Sequence, residues 1–180
     1  MNTLRRWATG KNVLILLILF LLMNMVVAPA FYPRFPTLDM QSSYTPQQAY
    51  QYIASYGEAG RQLYLVAELT LDLDYPVITG LLFSLATMYS FKKGFPDHPW
   101  TEKLALLPFL PMTADYIENA CVVLMLLAYP TELPFVARVS GMATRLKFVL
   151  TPLDLVFVIG LIGWLALTLR NRAHPVSPTP

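Results

Sequence analysis

Charge is scarce in this sequence. Only 13% of its 180 residues are Asp, Glu, Lys or Arg, where a soluble domain carries about a quarter. That shortage, with 56% hydrophobic residues, excludes an ordinary soluble domain. Cysteine is almost absent too. Cys121 stands alone inside an apolar run, which excludes an intrachain disulfide and any Cys-based metal or redox motif. A lone buried cysteine reads as a small packing residue. The two histidines, His98 and His174, both fall in polar segments. The apolar runs therefore lack imidazole, which excludes zinc, copper and haem ligation there, and Ser/His/Asp catalysis with them. No internal repeat, Gly-rich phosphate loop or nucleic-acid motif occurs. Neither a cofactor nor a nucleic-acid partner is expected.

Long apolar stretches fill the sequence instead. Four runs have the length that a helix rising 1.5 Å per residue needs to cross a bilayer. They cover about 12–31, 63–91, 104–129 and 146–169. The reading is an all-α fold: one membrane domain over 1–180, an integral membrane four-helix bundle in contact with membrane lipids.

Basic residues suggest its direction. Arg5, Arg6, Lys11, Lys92, Lys93, Lys103, Arg170 and Arg172 flank one side of the four runs. Arg34, Arg61, Arg138, Arg145 and Lys147 flank the other. The positive-inside rule then puts both termini in the cytoplasm of a cell (plasma or inner) membrane. A rival reading makes residues 1–30 a cleaved signal peptide, since "RR", an apolar run and "APA" fit that template. The segment 32–62 is the longest connection. Within it Thr45, Pro46 and Gln48 form a capping-box pattern, predicting a helix over about 46–56. Tyr50, Ile53 and Tyr56 share one of its faces. Tyrosine suits the water–lipid boundary, so the expectation is an extracytoplasmic interfacial helix. The loop around 92–103 is short and polar.

Acids interrupt the apolar runs, and helical spacing gathers them. Residues at i, i+3, i+4 and i+7 share a face. In the second run Arg61, Tyr64, Glu68, Asp72, Tyr75 and Thr79 make one stripe, with Asp74 turned elsewhere. In the third, Asp115, Glu118 and Asn119 face one way with Pro108 and Pro111. In the fourth, Lys147, Thr151 and Asp154 make another. An ionised side chain facing lipid costs at least ~2.5–3.5 kcal/mol, so the three stripes are expected to turn inward. Counting along each helix puts Asp72, Asp115, Glu118 and Asp154 near one level.

Three readings of the convergence stay open. In the first, the acids line an outward-facing pocket for a small lipophilic or cationic ligand, a lipid headgroup or a proton. In the second, Asp72 and either Asp115 or Glu118 act as general acid and base on a lipid-like substrate. In the third, the acids only hold helices together, Arg61 pairing with Glu68, Arg145 and Lys147 with Asp154, and Asn119 with backbone carbonyls. An all-carboxylate set also suits calcium or magnesium chemically, though no resident metal is expected. The prolines Pro76, Pro108, Pro111 and Pro152 would kink or open their helices and free carbonyls near the acids. A transporter of four spans would work as a homodimer.

Three motifs carry a resemblance: Gly60, Arg61 and Tyr64 as G-R-x-x-Y; Asp72 and Pro76 as D-x-x-x-P; and Asp115, Glu118 and Asn119 as D-x-x-E-N. Over about 57–165 the chain resembles a bacterial group of small four-span membrane proteins usually called hypothetical. That likeness implies a fold and a membrane location. "ELTLDLDYP" is loosely similar to the second helix of the sterol-isomerase and sigma-receptor-like four-helix family. This second likeness implies that Asp72 and Asp115 would bind a cationic amine or protonate a double bond.

Overall fold

The computed structural model describes residues 2–31, 34–94 and 100–173, and every element in them is helical. The loop 95–99, with His98, and the end of the chain from 174, with His174, lie outside the described residues. Helix α1 is Asn2–Trp7 and α2 is Gly10–Phe31, with Thr9 accepting from the Asn12 amide to start the second. Helix α3 is Pro46–Ser55 and α4 is Gly57–Gly94. A single turn, Thr101–Leu104, leads into α5, Phe109–Ala128, and α6 is Pro134–Ala173.

Among the described residues four helical stretches are long and apolar enough to cross a membrane: Gly10–Phe31, Gly57–Gly94, Thr101–Ala128 and Pro134–Ala166. Their outward faces carry side chains such as Leu14, Ile18, Val66, Leu124, Val156 and Ile159, all largely exposed. Aqueous monomers rarely show so much exposed apolar surface. Helix α5 touches both α4 and α6. α2 lies mainly along α4, with Val13, Leu16 and Phe20 against Leu82, Phe83 and Ala86. At that end of the bundle Lys92 donates to the carbonyls of Arg5 and Ala8, at 2.9 and 3.0 Å. These bonds tie α1 to α4.

Residues 34–56 fold over the opposite end as a cap. Thr45 and Gln48 complete the capping box, and Pro46 opens α3. Gly57, at φ +64°, reverses the chain directly into α4, a backbone that only glycine adopts without strain. The apolar face of α3 is turned into protein: Ala49, Tyr50 and Ile53 pack with Leu38 on Val122, Met125, Leu126 and Ala137.

Helix α6 starts twelve residues before the expected 146, at Pro134, where a proline's missing N–H costs nothing. The early turns hold Arg138 and Arg145 on an exposed face and small residues on the other. Ala137, Ser140, Gly141 and Thr144 are buried. This seam receives the cap. The Tyr44 hydroxyl lies 2.6 Å from Ser140 Oγ, and a Cβ on Gly141 would come within 2.7 Å of the Tyr44 carbonyl oxygen. Burial, and then the nearby Glu118, raise the Tyr44 hydroxyl's pKa above its ordinary value. It therefore stays a neutral hydrogen-bonding group.

Candidate functional site

The site begins with a missing hydrogen bond. Pro76 sits inside α4, has no N–H, and so leaves the Asp72 carbonyl four residues back without its helical donor. Asn119 on α5 supplies the replacement, its Nδ2 donating to that oxygen at 2.8 Å. The next carbonyl, Leu73, receives the Tyr116 hydroxyl at 2.6 Å. α4 and α5 are thus bolted together beside Pro76. Replacing Asn119 with Leu leaves a part-buried carbonyl unsatisfied and should cost about 1–3 kcal/mol. Equilibrium unfolding in mixed micelles measures it.

Prolines on all three helices border the space this creates. A cavity of about 370 Å³ runs between Asp72, Tyr75, Thr79 and Phe83 of α4, Met112 and Asp115 of α5, and Lys147, Phe148 and Thr151 of α6. Pro76, Pro108, Pro111 and Pro152 also line it. Gly80 lets Met112 lie close against α4, since a Cβ there would come within 2.9 Å of its Sδ. Phe148 lines the cavity yet remains 40% exposed, and Pro152 is exposed beside it. The cavity therefore opens sideways onto the apolar flank of α6. Tyr75 reaches from its wall to Asn24 of α2, 3.5 Å away.

One ion-paired cluster lies along its α5–α6 wall. Lys147 Nζ is 2.9 Å from Asp115 Oδ1 and is also paired with Glu118. Thr144 donates to Glu118 Oε1 at 2.6 Å. Glu118 is wholly buried and does not line the cavity. Lys147 therefore pairs across helices, and the expected match of Lys147 with Asp154 is replaced by one with Asp115 and Glu118. Arg145 is exposed.

The depth of Asp154 also needs correcting. It lies seven residues beyond Lys147, about 10 Å deeper by helical rise, and is not among the lining residues. One of its carboxyl oxygens is buried without a hydrogen-bond partner. Asp74 is exposed, away from the site.

A second acidic group gathers where the cap meets α4. Asp39, in the 3-10 turn Leu38–Met40, lines the cavity alongside Asp72. Tyr64 donates to Asp39 Oδ1 and accepts from the Leu38 amide at 3.2 Å. Glu68, one turn from both Tyr64 and Asp72, is only 3% exposed. Arg61 does not reach it. Its guanidinium stacks over the Tyr129 ring at 4.2 Å and donates to the Ile53 carbonyl at 3.5 Å.

The structure thus brings Asp72, Asp115, Asn119, Tyr75 and Lys147 to one cavity. Glu118, Glu68 and Tyr64 stand immediately behind it, and Arg61 and Asp154 stand apart. Asp39 was missed because it lies in a connection with no periodicity to place it. Three carboxylates and one ammonium line the cavity, a formal surplus of negative charge at one end of an otherwise apolar space. Among the described residues no group of three or more His, Cys, Asp or Glu is arranged to hold a metal ion. No protein-family model matches the chain, and no curated protein or solved structure is detectably similar to it.

Proposed function

We propose that this is an integral membrane protein that binds a small lipophilic cation, or a lipid with a positively charged group, in the cavity between α4, α5 and α6. The supporting observation is the cavity itself: Asp39 and Asp72 at its cap end, Phe83, Met112 and Phe148 along its apolar walls, and a sideways opening. Sites for small molecules are typically apolar spaces of about 300–1,000 Å³ with a few convergent polar groups. The ligand's apolar body would enter from lipid past Phe148 and Pro152, and its charge would settle against the carboxylates. The distribution of Lys and Arg supports a cap on the extracytoplasmic side and both termini in the cytoplasm of a cell membrane. Packing of α2 on α4 supports retention of residues 1–30 as a span. The edge of α3 would then lie near the water–lipid boundary.

The test is mass spectrometry of molecules that co-purify with the full chain, comparing wild type with Asp72→Asn and with Thr79→Trp, which plugs the cavity. Losing a charge-assisted contact should cut occupancy about tenfold or more, and the plug should remove the species. Wild type that carries nothing the two variants lack would defeat the proposal.

A second reading is an acid/base enzyme, favoured by Asp39, Asp72 and Asp115 facing the same cavity. In that case Asp115→Asn should accumulate a bound substrate rather than lose one.

A further inference from the structure

Glu68 is the most isolated acid among the described residues. The side chain is nearly fully buried, and neither carboxyl oxygen has a donor of its own, because the Tyr64 hydroxyl beside it gives its hydrogen to Asp39. No lysine or arginine among the described residues forms an ion pair with it. The groups that face it are Tyr64 and Asp72 from α4, Asp39 from the 3-10 turn, and Glu118 from α5. All are acidic or neutral. A buried carboxylate in such company costs several kcal/mol, so the position calls for something positive. A metal cage is not formed there among the described residues. A proton needs only one oxygen and one acceptor.

The acceptor is present. The Tyr64 hydroxyl has one hydrogen, which it gives to Asp39, while its oxygen already takes the Leu38 amide hydrogen. Tyr64 has no second hydrogen for Glu68, so a hydrogen bond between the two has to be donated by a protonated Glu68.

We infer that Glu68 is a proton-binding site wired through the Tyr64 hydroxyl to Asp39 at the rim of the cavity. When Glu68 passes its proton to the Tyr64 oxygen, Tyr64 passes its own to Asp39. Glu68 becomes the carboxylate, Asp39 the acid, and tyrosine is unchanged. A cation arriving at the rim lowers the proton affinity of both carboxyls that share this proton, so it leaves along the wire by way of Asp39, and cation entry and proton release are linked. This last consequence rests on the proposed cavity ligand. The proton site does not.

Infrared titration of the full chain, without added ligand, separates the two. Wild type should show the C=O band of a protonated carboxyl at neutral pH, and Glu68→Gln should lack it. Gln has the shape of the protonated acid and keeps the site uncharged, so that variant is expected to fold. Tyr64→Phe should keep the band but slow its hydrogen–deuterium exchange several-fold. A wild-type spectrum with no such band overturns the site without recourse to any variant. A band of undiminished strength in Glu68→Gln does the same, and exchange unaltered in Tyr64→Phe overturns the wire. The mass-spectrometric result for the cavity stands or falls separately.

Discussion

Lys147→Met should destabilise the bundle by about 3–5 kcal/mol, the cost of removing one partner from a buried ion pair. Methionine nearly matches the lysine stem in length, so packing changes little and the loss is electrostatic. Lys147 pairs with both Asp115 and Glu118, and Glu118 is wholly buried. Without the ammonium, two carboxylates one turn apart on α5 face each other with only the Thr144 hydroxyl to help. An exposed pair would be worth only about 0–1 kcal/mol, and the burial of Glu118 sets this cluster apart from that class. The check is equilibrium unfolding in mixed micelles, with the Lys147→Met, Asp115→Asn, Glu118→Gln triple variant alongside. The triple variant leaves no charge to desolvate and should recover most of the loss. If Lys147→Met alone stays within about 1 kcal/mol of wild type, the cluster does not hold α5 to α6.

The same cluster explains why the cavity keeps an acidic surplus. One lysine neutralises one charge of two, and it is drawn toward the buried Glu118 as well as toward Asp115, which lines the space. The remaining negative charge sits along the wall and at the cap end. A purely structural role accounts well for Glu118 and for the Asn119 amide. It does not account for an open space beside Asp72 and Asp115, nor for a buried Glu68 without a base.

Much of this was legible from spacing alone. The α4 stripe of Arg61, Tyr64, Glu68, Asp72, Tyr75 and Thr79, of which Arg61 turns instead to Tyr129, and the α5 set of Asp115, Glu118 and Asn119 follow from 3.6-residue periodicity. The structure turns both stripes inward. What spacing could not give was register. The fourth run looked as though it began at 146, which put Asp154 only a few turns from the helix start. Because α6 begins at Pro134, Asp154 lies about 30 Å along it, and Lys147 takes the level where Asp115 and Glu118 wait. Helix length was misread because Arg138 and Arg145 break the apolar pattern on a face that the buried Ala137–Thr144 seam does not use. Asp39 was invisible for a different reason. Its place depends on Tyr64, 25 residues away, and on how the cap folds back.

The cap supplies the last strong expectation: Ile53→Ala should undock residues 34–56 while leaving the long helices intact. Ile53 is fully buried among Leu38, Tyr50, Val122, Met125 and Ala137, and truncating such a side chain costs about 2–5 kcal/mol. What it weakens is local. α4, α5 and α6 hold nearly all their backbone hydrogen bonds within themselves, the carbonyls one turn before Pro76 and Pro152 aside. The cap instead relies on this apolar patch, on the Leu133 amide donating to the Tyr50 hydroxyl at 2.5 Å, and on Tyr44 against Ser140. Elements with few such ties open first. Native-state proteolysis within 34–56 should therefore speed up by about thirtyfold or more, since each 1.4 kcal/mol is a factor of ten, with helical circular dichroism unchanged. Undocking also carries Asp39 away from the cavity rim, so any cation held there should be lost together with protease resistance. Resistance equal to wild type would show that the cap is held by its hydrogen bonds rather than by its core. Helix loss in parallel with cleavage would show instead that the cap and the bundle fold as a single unit.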